Sequence, residues 1–214
     1  MKSQMLHIPY LAEIGNEKLL ADYEKAEKVE DKVFLGYLYE QKKVYGLDYD
    51  DLITIALYIL QTDETKQIKW QERMMYVMVD EFQDVSNSQY ALAEILSGYH
   101  RNLFIVGDPD QTIYTWRGAQ IEYILEFDET HENTRTIFLD MNYRSTPEIL
   151  TVSNSLIEKN KKRLPHRLEA YKESGRRPIY IHSKTTGDEA QWMTSEIQRL
   201  VSEGASYNEM AVLY

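Results

Sequence analysis

Apolar positions recur along the chain in two rhythms. Between residues 30 and 45, Phe34, Tyr37, Leu38 and Tyr45 fall at roughly helical spacing among Lys and Glu, which predicts an amphipathic helix. Gly46 stands where such a helix stops. Asp48 is placed to cap a second helix, with Leu52, Ile55, Ala56, Ile59 and Leu60 as its buried face. Further along, the rhythm changes to short apolar runs at 74–79, 103–106, 136–139, 179–182 and 210–214, each predicting a strand, the first two buried. Helices are predicted between them. Ser86 with Gln89 has the form of a capping box and opens a helix carrying Leu92, Ile95 and Leu96 that ends near Gly98. Ser145 with Glu148 repeats the pattern, with Pro147 in the first turn, and a later helix carries Trp192, Ile197, Leu200 and Val201. Strands alternating with helices of this length predict an α/β fold with a mostly parallel sheet, preceded by a helical segment.

Three successive strands run into polar clusters, where parallel α/β sheets collect their ligands. The first ends in Asp80-Glu81-Phe82-Gln83-Asp84. Adjacent carboxylates suit magnesium-nucleotide work, one acid anchoring a hydrated metal and the next accepting a proton from an attacking water. The second strand ends in Gly107-Asp108-Pro109-Asp110-Gln111-Thr112, whose Gln111 amide can sense a phosphate or orient a water. The third ends in Asn142-Tyr143-Arg144-Ser145, pairing a guanidinium for phosphate with a ring for a base. These are the parts for hydrolysing a nucleoside triphosphate, apart from a phosphate cradle. Blander readings stand beside them. The carboxylates fit a solvated acidic turn, Trp116 a core position, and Arg144 an ion pair with Glu148. Asp108 and Asp110 around Pro109 are foremost turn formers. His100, His131, His166 and His182 show no metal-ligand spacing.

Composition narrows the class. The 214 residues include no cysteine, which excludes a disulfide framework and a thiolate metal site. No apolar run is long enough to span a membrane and Met1-Lys2-Ser3 does not begin a signal peptide, so the expected location is the cytoplasm. A net charge of −11 argues against holding nucleic acid mainly by a basic surface. Residues 158–177 run the other way, with eight Lys/Arg against three Glu, a local +5 that suits a phosphate-tracking strip or a solvated helix and loop.

Asp80 to Asp84, then Gly107 to Ala119 (Gly-Asp-Pro-Asp-Gln-Thr-Ile-Tyr-Thr-Trp-Arg-Gly-Ala), then Asn142 to Thr146 are similar, in order and in spacing, to the Walker B motif, motif III and motif IV of the UvrD/PcrA/Rep superfamily 1 DNA helicases. Gly46 to Leu52 and Ala211 to Tyr214 extend the resemblance over nearly the whole chain from about residue 46. It implies RecA-like parallel sheets, with 1–46 as part of a helical insert, 47–136 as the back of the first RecA-like domain and 137–214 as the front of the second. It implies ATP and Mg2+ as cofactors. Asp80 would hold the metal through water, with Glu81 as general base and Gln83 and Asp84 in support. Gln111 would sense the γ-phosphate, Arg144 would act as an arginine finger and Tyr143 would stack on adenine. Tyr114, Trp116 and Arg117 would face single-stranded DNA, Trp116 as the stacking platform.

The implied activity is ATP-driven 3′-to-5′ movement on single-stranded DNA and at duplex junctions, in repair, replication or recombination. No glycine here is followed by lysine, so the phosphate loop of this family is absent. The expectation is therefore an internal fragment of a larger helicase, or of a helicase-nuclease of the same superfamily, inactive alone and with exposed sheet edges. A truncated regulatory or interaction module is the third reading, and oligomeric state is left open.

Overall fold

The computed structural model describes Ile8 and residues 14–213. Among these the chain forms two compact units, one of residues up to 138 together with 157–166, the other of residues 139–156 and 167 onward.

In the first unit, helices α1 (Asn16–Lys25) and α2 (Val29–Lys43) close over Leu19, Leu35 and Leu38. The expected α2 stripe is shifted: Leu38 is buried, Leu35 joins it, and Tyr45 lies in solvent. The helix also stops one residue earlier than expected. Tyr45 N–H bonds to Lys42 O and Gly46 N–H to Gln41 O, a Schellman ending in which Tyr45 (φ 52°), not Gly46, takes the left-handed position. Asp48 caps α3 (Tyr49–Thr62) as expected, in a reciprocal box with Asp51. The buried face of α3 is Asp51, Thr54, Leu57 and Leu60, whereas Leu52 and Ile59 face water. Buried Asp51 accepts the Gln41 amide, which rotates the helix away from the phase its apolar residues alone would choose. A fourth helix, α4 (Glu64–Arg73), is capped by Asp63.

Strand β1 (Val77–Val79) pairs in parallel with β2 (Leu103–Ile105), Met78 opposite Phe104, and α5 (Asn87–Ser97) connects them. One face of the pair packs Val79, Leu103 and Ile105 against the core of Phe82, Val85 and Phe127. The other face is open, with Met78 74% and Phe104 59% exposed, so neither strand is buried on both sides as expected. Short helices α6 (Glu122–Leu125) and α7 (Phe127–Thr130) complete this core. Phe82, fully buried, meets Tyr90 and Phe127 edge-on.

In the second unit β3 (Met141–Asn142) pairs in parallel with β4 (Glu169–Ala170), flanked in sequence by α8 (Pro147–Ile157), with α9 (Thr186–Ser202) following. The runs at 136–139 and 179–182, and the described part of 210–214, form no ladder. An extended apolar run becomes a strand only where a neighbouring strand accepts its hydrogen bonds, and among the described residues these have no strand partner. The α/β class with parallel pairing holds, in two-stranded sheets.

Candidate functional site

The first cluster is built where β1 and β2 end side by side. Val106 N–H bonds to Val79 O and Phe82 N–H to Val106 O, so the two strand ends are laced together before their polar residues begin. Glu81 then turns left-handed (φ 50°, ψ 42°), which throws the following 3₁₀ turn, Phe82–Asp84, back under the sheet. A non-glycine in this conformation costs about 1–2 kcal/mol and persists only where its surroundings fix it. Here Phe82 and Gln83 are the buried anchors.

Asp80 and Glu81 remain exposed, as a metal and a nucleotide would require. Asp80 Oδ1 accepts the Glu81 N–H at 2.9 Å and Glu81 Oε2 accepts Gln83 Nε2 at 2.8 Å. Each carboxylate keeps its second oxygen without a hydrogen bond among the described residues. Asp84 Oδ1 is buried and unpartnered. Hard oxygen donors of this kind fit a hydrated Mg2+.

The second cluster is a loop that starts at β2. Asp108 Oδ1 accepts Asp110 N–H at 3.0 Å, Pro109 sits at the first position of the 3₁₀ turn Pro109–Gln111, and Gln111 Nε2 donates to Asp108 Oδ2 at 2.6 Å. Turn formation is thus what the Asp108 side chain does, whereas the Asp110 carboxylate is engaged elsewhere. The Asp108 N–H donates to Gln83 Oε1 at 3.0 Å, which brings Glu81, Gln83, Asp108 and Gln111 into one hydrogen-bonded array. Onward, the 3₁₀ turn Thr115–Arg117 ends at left-handed Gly118 (φ 90°), and Gln120 N–H and Ala119 pin the loop to Val85 and Ser86. Trp116 is 77% exposed, which removes the core reading. Its ring lies 6.2 Å from that of Tyr114, and the Arg117 guanidinium sits 5.5 Å from the Trp116 ring and 5.8 Å from Tyr114. Two rings and a cation in solvent are suited to unstacked bases and phosphates.

The array also holds residues that spacing could not reveal. Asp110, its carboxylate 5% exposed, accepts Asn160 Nδ2 at 3.1 Å and pairs with Arg163 at 3.4 Å. Asp108, Asp110 and His166 each present a ligand atom within 4.8 Å of one another, a grouping 58 positions apart in sequence at its ends that tertiary packing alone creates. Lys162 is bound to Glu122 at 2.5 Å, which raises the lysine's pKa and lowers that of Glu122. The basic run is therefore partly spent on acidic neighbours: Lys162 and Arg163 in this unit, and Arg176, 3.9 Å from Glu203, in the other.

In the second unit, the Asn142 carboxamide oxygen accepts the N–H groups of Arg144 (3.0 Å) and Ser145 (2.8 Å), an Asx turn that holds both Tyr143 and Arg144 outward. Tyr143 meets Tyr171 at 4.9 Å across the β3–β4 ends. The Ser145–Glu148 box does not form, because α8 begins at Pro147 and Glu148 Oε2 instead accepts Gly175 N–H at 2.9 Å. Arg144 is exposed, and among the described residues no ion pair joins it to Glu148.

Two family models match successive parts of the chain. Residues 8–132 match the model of the UvrD/REP helicase N-terminal domain and residues 137–214 that of the UvrD-like helicase C-terminal domain. The chain is 38% identical over 182 residues to an ATP-dependent DNA helicase PcrA of Staphylococcus epidermidis, covering 85% of this chain and 25% of that protein. It is 37% identical over 182 residues to the Staphylococcus aureus protein of that name (85% and 25%) and 36% identical over 199 residues to that of Leuconostoc citreum (90% and 27%). It spans about a quarter of the length of these relatives.

Proposed function

The chain belongs to the UvrD/REP helicase family, and on that premise we propose that it forms part of an ATP-driven motor moving 3′ to 5′ on single-stranded DNA and at duplex junctions, in repair, replication or recombination. Residues 1–46 are then part of a helical insert, 47–136 the back of a first RecA-like domain and 137–214 the front of a second.

Asp80 holds the hydrated metal and Glu81 accepts the proton of the attacking water, with Gln83 and Asp84 keeping that carboxylate pair in place. A bound Mg2+ supplies charge neutralisation on the phosphate oxygens. Gln111 senses the γ-phosphate. Arg144 provides the guanidinium that stabilises charge on the transferring group, and Tyr143 the ring under adenine. Tyr114, Trp116 and Arg117 grip DNA without reading its sequence, as a translocating protein needs. The observation that supports this best is the loop from Asp108 to Gly118. It bonds Gln111 to the strand-end cluster at one end and presents Trp116 to solvent at the other.

The test is DNA-stimulated ATP hydrolysis by the complete protein. Gln111→Ala should lose the stimulation, and unchanged stimulation refutes the reading. The 214-residue chain alone, without a Gly-Lys phosphate loop, should hydrolyse ATP negligibly. Turnover that Glu81→Gln abolishes would overturn that part.

A further inference from the structure

The hydrogen-bonded array at the strand ends has one buried member that joins its two halves. Gln83 is 1% exposed, and its carboxamide is used at both ends: Nε2 donates to Glu81 Oε2 at 2.8 Å and Oε1 accepts the Asp108 N–H at 3.0 Å. Asp108 in turn accepts the Gln111 side chain at 2.6 Å. The fit leaves no slack. A Cβ on Gly107 would fall 2.5 Å from Gln83 Oε1 and 3.0 Å from the Phe82 nitrogen, so the amide is packed closely against the end of the second strand.

We propose that Gln83 is a positioning residue that fixes the Glu81 carboxylate and mechanically links it to Gln111 through Asp108. The inference rests on the function proposed above for Glu81 and Gln111. An amide is suited to this. It offers one donor side and one acceptor side on a rigid plane, so it can hold a carboxylate and a backbone N–H at once. Movement of Glu81 toward a ligand pulls on Nε2, and the planar group must carry Oε1 with it. Asp108 N–H then follows or breaks its bond. Because both contacts are half-buried, water is a poorer substitute for either than at an exposed site. Glu81 adds to the constraint, since its left-handed backbone leaves the side chain as the part free to respond.

The experiment follows the backbone amides of Glu81 and Asp108 and the side-chain amides of Gln83 and Gln111 by NMR in the 214-residue chain, with magnesium chloride as the probe. The expected result is that Mg2+ shifts the Glu81 and Gln111 signals with a common midpoint. In Gln83→Met the Glu81 response should stay while the Gln111 response falls by about fivefold or more. In Gln83→Glu, which keeps an oxygen for Asp108 but offers no donor to Glu81, the Asp108 signal should persist and the Gln111 response vanish. A Gln111 response of undiminished size in both variants overturns the proposal.

If Mg2+ does not shift the Glu81 signal, it is the metal site that has failed. The linkage is then judged on Glu81→Gly, which removes the carboxylate and tolerates the left-handed backbone. Exchange of the Gln83 side-chain and Asp108 amides should accelerate by about fivefold. Unchanged exchange overturns the linkage, and because Glu81 is exposed this variant does not depend on a refilled core.

Discussion

Replacing Gly107 with alanine tests the packing of the strand ends. The added Cβ would meet Gln83 Oε1 at 2.5 Å, Ile124 Cδ1 at 2.9 Å and Phe82 N at 3.0 Å. Phe82 N is held by its bond to Val106 O, and Gln83 is pinned at both ends of its amide, so neither can step aside cheaply. Overpacking of a filled site costs roughly 1–3 kcal/mol, and loss of the Gln83–Asp108 bond adds about 1 kcal/mol. The expected destabilisation is about 3 kcal/mol. With a urea dependence of about 1.5 kcal/mol per molar, the unfolding midpoint should fall by about 2 M.

Two other glycines separate sterics from backbone preference. Gly118 has φ 90° and open space around it, so Gly118→Ala tests strain alone, at about 1 kcal/mol. Gly15 has open space and φ −66° but is the N-cap of α1, where alanine is less favourable, so Gly15→Ala should cost only about 0.5 kcal/mol. Urea titrations of the three variants by circular dichroism give the ranking directly. A Gly107→Ala midpoint within about 0.3 M of the parent, or one matching Gly118→Ala, would refute the steric argument.

Tyr45→Gly should stabilise the first unit by about 1 kcal/mol, because it relieves a left-handed tyrosine that is 94% exposed and gives up little packing; an unchanged or lower urea midpoint would contradict the Schellman assignment. Trp116→Ala in the complete protein should weaken single-stranded DNA binding by about tenfold, measured by anisotropy with an unlabelled-sequence panel, and Trp116→Phe should recover part of it. Glu148 has its pKa lowered from 4.5, chiefly by the Gly175 N–H. The bond favours the ionised form, so its contribution is complete above the ordinary glutamate range and is lost as pH falls through the lowered value. Protection of the Gly175 amide against exchange, relative to its intrinsic rate, should therefore be lost as pH falls through that lowered value, and Glu148→Gln should abolish that pH dependence.

The parts of the fold that were legible in sequence are those decided locally. Asp48 caps α3 because its carboxylate reaches the Asp51 N–H three residues on, and β1 and β2 end where their apolar runs meet charge. What pattern alone misplaced depends on distant partners. The phase of α3 is set by buried Asp51 and its bond from Gln41, so counting apolar residues chose the wrong face. Ile137, Leu139, Ile179 and Tyr180 have the composition of strands, but composition does not supply a neighbour to bond with. Glu148 looked like a box partner for Ser145 until Gly175, 27 residues later, claimed it. At the candidate site the residue types and turn geometry were readable, whereas the Gln83 bridge and the clamp of Asn160 and Arg163 on Asp110 arise only from tertiary packing.

The open side of the β1–β2 pair has a consequence for how this molecule behaves as a colloid. Met78 and Phe104 sit opposite one another on that face, yet the chain carries −11 charge at pH 7. Mutual repulsion between copies holds such sticky faces apart, but only across the Debye length, about 30 Å at 0.01 M salt and about 10 Å at 0.1 M. Added salt therefore strips away the repulsion while leaving the adhesive contact intact or strengthening it. Self-association should rise with ionic strength, so dilute buffer is the better medium for keeping the chain dispersed.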